Sequence, residues 1–154
     1  MKKTPFIILF IFVLLMTLGA TTAIAKMVAI KNDNANMRSG PGTNNKIIWK
    51  LGKGFPLKVL KRSGKWFRVQ DFEGETGWVH KKVVNRSGHM IVKAQKASKG
   101  KINIRSKPNT KAKLVAQAYY GVVFKTLEQQ KGWVKVQHSG KVTGWIKRSL
   151  LWGF

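Results

Sequence analysis

The chain repeats itself at a fixed interval. Asn36-Met37-Arg38-Ser39-Gly40-Pro41-Gly42-Thr43 returns as Asn103-Ile104-Arg105-Ser106-Lys107-Pro108-Asn109-Thr110. Trp66-Phe67-Arg68-Val69-Gln70 returns as Trp133-Val134-Lys135-Val136-Gln137, and Thr76-Gly77-Trp78-Val79 as Thr143-Gly144-Trp145-Ile146. The three offsets, 103 − 36, 133 − 66 and 145 − 78, all equal 67, so these stretches align without a gap. A period of this size exceeds a solenoid unit, and each copy is long enough to be a small domain. Whatever the chain does, it is expected to do with two copies of one module, residues 26–85 and 86–154.

Residues 1–25 read as a signal peptide. Lys2 and Lys3 give a positive start, Phe6 to Leu18 is an uncharged apolar run, and Ala23-Ile24-Ala25 supplies the small residues of a cleavage site. Cleavage is expected before Lys26, leaving an exported chain with no transmembrane segment. The competing reading is an uncleaved anchor, against which the run is shorter than the ~20 residues a spanning helix needs. No cysteine occurs, so disulfides, a thiol nucleophile, a thiolate metal site and a bacterial lipid anchor are all excluded. Two small exported domains must then rely on their hydrophobic cores, and a domain of about 60 residues is marginal on that basis.

The charge is extreme. Without Lys2 and Lys3, 28 Lys and Arg face 5 Asp and Glu, a net of +23. Residues 26–85 carry 13 cations and 4 acids, or +9, and residues 86–154 carry 15 and 1, or +14. Such a balance bears on partners and solubility rather than on fold. It points to a polyanion or an anionic surface, and on totals alone the second copy should dominate that attraction.

Short apolar and β-branched runs alternate with Gly, Pro and Asn turns every 8–12 residues, the pattern of small all-β barrels. Five strands are legible in each copy. In the first they are Val28-Ala29-Ile30, Ile47-Ile48-Trp49, Leu57 to Leu60, Trp66 to Gln70 and Thr76 to Val79. The loop after the first strand is longer in the second copy, Gln95 to Lys101, and Asn85 to His89 read as a short polar linker. The string N-x-R-S-x-P-x-T, a glycine before an apolar strand, W-x-(R/K)-V and T-G-W-(V/I) resembles the bacterial Src-homology-3 domain family over both copies. The resemblance implies two five-stranded barrels in tandem in an exported protein. It also implies a role in binding peptidoglycan or a related envelope ligand, beside cell-wall hydrolases. The second copy departs from the motif, with Lys107 at Gly40 and Asn109 at Gly42. Asn tolerates left-handed backbone, so the turn is expected to survive.

Strand alternation separates the faces. Phe67 and Val69, like Val134 and Val136, should point inward. Trp66 and Arg68, like Trp133 and Lys135, should then share the outer face, as should Trp78 with His80 and Trp145 with Lys147. A tryptophan beside cations suits a sugar ring or an extended peptide, since it offers an apolar face and one N–H. The other reading is that these indoles seal the barrel end. Arg38 and Arg105 have two readings as well: a fork for a carboxylate or phosphate, or a brace for the following turn. The candidate ligand-binding set is therefore Trp66, Arg68, Trp78, His80 and Arg38, with Trp133, Lys135, Trp145, Lys147 and Arg105.

Catalysis has little support in the residues. His80, His89 and His138 have no metal-ligand spacing, and His89 in the linker reads as solvated. Asp71, Glu73 and Glu75 share one hairpin loop, where they read as exposed partners for lysines of the other copy rather than as carboxylates across a cleft. No cofactor and no metal is expected. The leading reading is a non-catalytic envelope-binding protein for peptidoglycan or another anionic wall polymer. A module that localises a cell-wall enzyme is the second. Single-stranded nucleic acid is the third, and export weighs against it.

Overall fold

The computed structural model describes residues 26–98, 100–139 and 141–154. The signal peptide read over residues 1–25 lies outside the described residues. The fold is all-β in two units, each built on one seven-stranded sheet. In the first copy the strands are β1 (Met27–Ile30), β2 (Ala35–Arg38), β3 (Ile47–Leu51), β4 (Pro56–Ser63), β5 (Trp66–Gln70), β6 (Thr76–His80) and β7 (Val84–Asn85). In the second they are β8 (His89–Val92), β9 (Lys101–Arg105), β10 (Leu114–Tyr119), β11 (Val123–Gln130), β12 (Trp133–His138), β13 (Val142–Lys147) and β14 (Leu151–Gly153). Both sheets have the same order, β3-β2-β6-β5-β4-β1-β7 and β10-β9-β13-β12-β11-β8-β14.

Seven strands stand where five were expected. The additional pair is the Asn36 motif itself, which is β2, and the two-residue strand β7. Ala35 and Met37 alternate inward with Asn36 and Arg38 outward, which makes the motif a strand leading into the turn. Val84 and Asn85 pair with Ile30 and Ala29, too short a ladder to show as periodicity.

Each sheet curls around one cluster. Met37, Leu57, Val69 and Val79 are completely buried in the first, as are Met90, Val92, Val134, Val136, Ile146 and Leu151 in the second. Full burial of such a side chain stabilises by about 1.5–3 kcal/mol. Phe67 only half follows its parity, packing at the edge of the first cluster. The glycine of T-G-W is fully inside, since the chain crosses the core there with no room for a side chain. A β-carbon on Gly144 would lie 2.6 Å from Ile104 Cγ2 and 2.9 Å from the Arg105 carbonyl oxygen.

The first strands pair at different offsets from the rest. Met27 stands opposite Lys58 and His89 opposite Lys125. Residues 58 and 125 keep the offset of 67, but 27 and 89 differ by 62, so five residues are added between β8 and β9.

The divergent turn keeps its hydrogen bonds. Gly42 N–H donates to Gly40 C=O at 3.0 Å, and Asn109 N–H to Lys107 C=O at 2.8 Å. None of these four residues has positive φ, so left-handed tolerance is not what preserves the turn. Space is. A β-carbon on Gly40 would meet Asn45 Cγ at 2.7 Å, and the second copy has Ala112 where the first has Asn45. Gly40→Lys is therefore expected to cost the first copy about 1–3 kcal/mol through overpacking. In an Asn45→Ala background most of that cost should vanish, a coupling that a urea-denaturation double-mutant cycle measures. Strictly additive costs would show that the two positions are independent.

The copies touch through the acidic hairpin. The Lys96 ammonium, in the lengthened β8–β9 loop, lies 2.8 Å from Glu73, and the Tyr120 hydroxyl donates to the same carboxylate. Phe72 packs between Phe55 and Tyr120, at 5.9 and 5.2 Å between ring centres. Strand β4 lies against β8 and β14. His89, expected to be solvated, is half-buried: its ring sits over Gly54 and its Nδ1 donates to Ser87 C=O at 3.1 Å.

Lys96 and Tyr120 hold the Glu73 carboxyl below its usual range, and the bond to Glu73 raises Lys96. Burial first, then Glu73, raises the Tyr120 phenol. A depressed carboxylate stabilises above its unfolded pKa and loses this as pH falls through the folded value. A raised lysine stabilises below its unfolded pKa and loses this as pH rises through the folded value. The clasp thus holds across neutral pH and releases in acid. An NMR titration of the Glu73 carboxyl should give a midpoint below that of free glutamate, moving up in Lys96→Ala. A midpoint indifferent to Lys96 would show the clasp unformed in solution.

Candidate functional site

Two grooves occupy equivalent places on the two barrels. The first, of about 460 Å³, is lined by Asn34, Ala35, Asn36, Arg38, Thr43, Trp66, His80 and Val83, with Asn32, Asp33 and Lys82. The second, of about 300 Å³, is lined by Lys101, Ile102, Asn103, Arg105, Thr110, Trp133, Lys147 and Leu150, with Gln95. Adding 67 to the first eight residues gives the second eight. Each groove runs between the motif strand, β2 or β9, and the far ends of the tryptophan hairpin.

The local geometry follows from the ladders. Trp66 stands opposite His80 on β5 and β6, and Trp133 opposite Lys147 on β12 and β13. The Trp66 and His80 rings meet edge to face at 5.2 Å and 80°. His80 Nδ1 accepts from Lys82 N–H at 3.3 Å at the start of a single 3-10 turn, which puts the proton of the neutral ring on Nε2. Both tryptophans are half-buried, with apolar surface left toward the groove.

The arginines brace the turn and border the groove at once. One Arg38 Nη donates to Thr43 C=O at 2.8 Å and to Asn45 C=O at 2.7 Å, and an Arg105 Nη donates to Ala112 C=O at 2.8 Å. A guanidinium has five donors, so each retains others for a ligand. Charge separates the grooves. The first holds Arg38, His80 and Lys82 with Asp33, whereas the second holds Lys101, Arg105 and Lys147 without an acid.

Of the ten residues expected to bind, the grooves gather six: Trp66, Arg38 and His80 in one, Trp133, Arg105 and Lys147 in the other. Arg68, Trp78, Lys135 and Trp145 share the outer sheet face but lie one pleat away. Arg68 is opposite Trp78 and Lys135 opposite Trp145. Trp78 is half-buried and Trp145 nearly closed off, at 7% exposure. Asn36, Asn103, Thr43 and Thr110 were not among the candidates, though all four sit in the repeated N-x-R-S-x-P-x-T string. Val83 and Leu150 carry no sequence signal for a groove. Among the described residues, no cluster of three His, Cys, Asp or Glu is placed to hold a metal ion, and no helix is long and apolar enough to cross a membrane.

This repeated barrel with its N-x-R-S motif matches the bacterial SH3 domain over residues 31–85 and again over 98–153, and the chain belongs to that family. Among its relatives is Bacillus subtilis YrvJ, named as an N-acetylmuramoyl-L-alanine amidase. It is 27% identical over 145 residues, which span 90% of this chain and 28% of YrvJ. LytH of Staphylococcus epidermidis, named as a cell wall amidase, is 44% identical over 48 residues, 30% of this chain and 16% of LytH. The chain thus spans under a third of the length of either relative. Among solved structures, the endolysin LysPBC5 CBD is covered over 92% of its chain by 82% of this one, with a TM-score of 0.34 and 15% identity.

Proposed function

We propose that this chain is an exported, non-catalytic wall-binding protein whose two grooves hold repeating units of peptidoglycan or another anionic envelope polymer. The observation that carries the reading is the groove pair: eight positions, including a tryptophan, an arginine and an asparagine, line both at one offset. A half-buried indole takes the apolar face of a sugar or an extended peptide, and the arginine and second cation take its carboxylates. Two weak linked sites gain by effective concentration on a repeating ligand. The relatives named as wall amidases match this chain over a minor part of their own length, consistent with a module that accompanies a hydrolase.

The carboxylates support a binding role. Asp71 accepts from Glu73 N–H and Glu75 N–H, Glu75 from the Trp49 indole, and Glu73 from the other copy. All three sit on one hairpin loop bordering one pocket with Trp49 and Phe72, and each is already engaged by a donor. The relatives' names favour one second reading, a module that docks on a separate wall enzyme. Sedimentation of residues 26–154 with purified cell wall, at low and high salt and with single-stranded DNA as competitor, tests the proposal. Retention that falls with salt and resists DNA supports it. No retention on bare wall, with co-purification of a hydrolase, would replace it with the docking reading.

A further inference from the structure

Four hydrogen-bonded strands of the first copy place Lys61, Arg68, Trp78 and Arg38 in one row. Lys61 of β4 stands opposite Arg68 of β5, Arg68 opposite Trp78 of β6, and Trp78 opposite Arg38 of β2. A β-bulge makes the row. The register slips between Val59 and Lys61, so Leu60 is the extra residue and Lys61 turns outward to face Arg68. The Lys61 ammonium reaches over the Trp78 ring, 5.6 Å from its centre.

Like charges directly opposite on a sheet are destabilising. No carboxylate offsets these. Of the four acids in the first copy, Asp33 caps Lys53 N–H, Asp71 caps its own loop, Glu73 holds Lys96 and Tyr120, and Glu75 holds Trp49. The second copy builds the same row with the same bulge, but it reads Glu128, Lys135, Trp145, Arg105. There Glu128 stands opposite Lys135, and Trp145 is buried beneath the Lys135 ammonium at 6.0 Å.

We infer that the row on the first copy is a binding site for a phosphodiester-linked sugar or polyol chain laid across the strands. The order is cation, cation, indole, cation. Neighbouring strands are about 5 Å apart, so Arg68 and Arg38 flank the indole at about 10 Å. That alternation fits anionic groups separated by an uncharged carbon unit. The surface is an open sheet face, which suits a chain rather than a small anion. The Lys61 ammonium over the half-buried Trp78 competes with a base for that ring face, whereas a polyol unit needs no stacking partner, which disfavours single-stranded nucleic acid. The first copy is therefore the one that takes this phosphodiester chain on its sheet face, although the second carries more net charge. Position 61, with its counterpart 128, decides between them. The inference shares the envelope setting of the proposed function, and Arg38 with the first groove, but does not depend on a ligand in that groove.

The test uses residues 26–154 and synthetic poly(glycerol phosphate) as probe, with oligothymidylate and polyglutamate as parallel arms. Lys61→Glu copies the second row into the first. It should weaken binding about tenfold at 0.1 M salt and lower the salt slope by about two, because one cation is lost and Arg68 gains an acid partner. Glu128→Lys should strengthen binding by a similar factor, a gain that misfolding cannot produce. Lys141→Glu, the same charge change at the tip of the β12–β13 hairpin, should weaken binding far less. Equal losses from Lys61→Glu and Lys141→Glu would overturn the site in favour of net charge. Tighter binding of oligothymidylate or of polyglutamate, with the same dependence on Lys61, would overturn the ligand class. Loss of wall sedimentation in groove variants with unchanged phosphate-chain binding would concern the grooves alone.

Discussion

Gly144→Ala is expected to destabilise the second barrel by about 2–3 kcal/mol or more, while Gly77→Ala costs the first clearly less, about 1 kcal/mol. Both glycines are buried in the same motif at the same place. Their surroundings differ. The new methyl at Gly144 would press on Ile104 Cγ2 and on a backbone oxygen, that of Arg105, at 2.9 Å. Neither a β-branched side chain nor a sheet carbonyl gives way without shifting β9. At Gly77 the nearest atoms are Met37 Cγ at 2.6 Å, Ile48 Cδ1 at 2.9 Å and Met37 Sδ at 3.0 Å, all side-chain atoms. Methionine has three rotatable bonds and repacks readily. Net stabilities of natural domains are about 5–15 kcal/mol, and a small barrel sits at the low end, so the difference should be plain in urea denaturation. Equal midpoint shifts would mean that β9 is as compliant as a methionine side chain.

The second large effect is on binding. If the grooves hold a wall polymer, Trp66→Ala and Trp133→Ala should each reduce retention on purified cell wall by about tenfold or more, as buried aromatic anchors do. Either loss also removes the avidity of two linked sites, which brings the expected drop to about a hundredfold. The salt slope should change little while the cations of that groove stay on the polymer, because no cation is removed, and should fall only by their share when the groove lets go. The row variants of the first copy behave in the opposite way, changing slope and affinity together. Circular dichroism and thermal unfolding of each variant belong beside the binding data, since both indoles are half-buried. Full retention with both tryptophans replaced would end the groove reading and leave charge as the attraction.

A good part of the molecule was legible from the residues. The offset of 67 fixes two like units, because a gapless repeat of strand-forming runs and turns can only build the same ladder twice. The alternation in Trp133-Val134-Lys135-Val136-Gln137 assigns faces, and Val134 and Val136 are indeed completely buried. That the acids of the first hairpin meet lysine from the second copy also holds for Glu73 and Lys96. The closing strand β7 escaped notice because two residues show no period.

Tertiary structure decided the rest. Alternation says which face a side chain takes, not which neighbour it meets across the sheet. That depends on register, and register here depends on bulges at Leu60 and Leu127. Trp66 and Trp133, opposite His80 and Lys147, line grooves, while Trp78 and Trp145 stand one pleat away opposite Arg68 and Lys135. The role of the Gly40 and Lys107 difference was equally hidden, because it rests on the side chain at 45 or 112, five residues on. His89 left solvent for Gly54, and the five residues added between β8 and β9 carry Lys96 to Glu73. Sequence alone determined two barrels, their inward faces and their charge. Only folding determined which cations are paired with acids and which stand open, since that is a matter of distances between strands far apart in the chain.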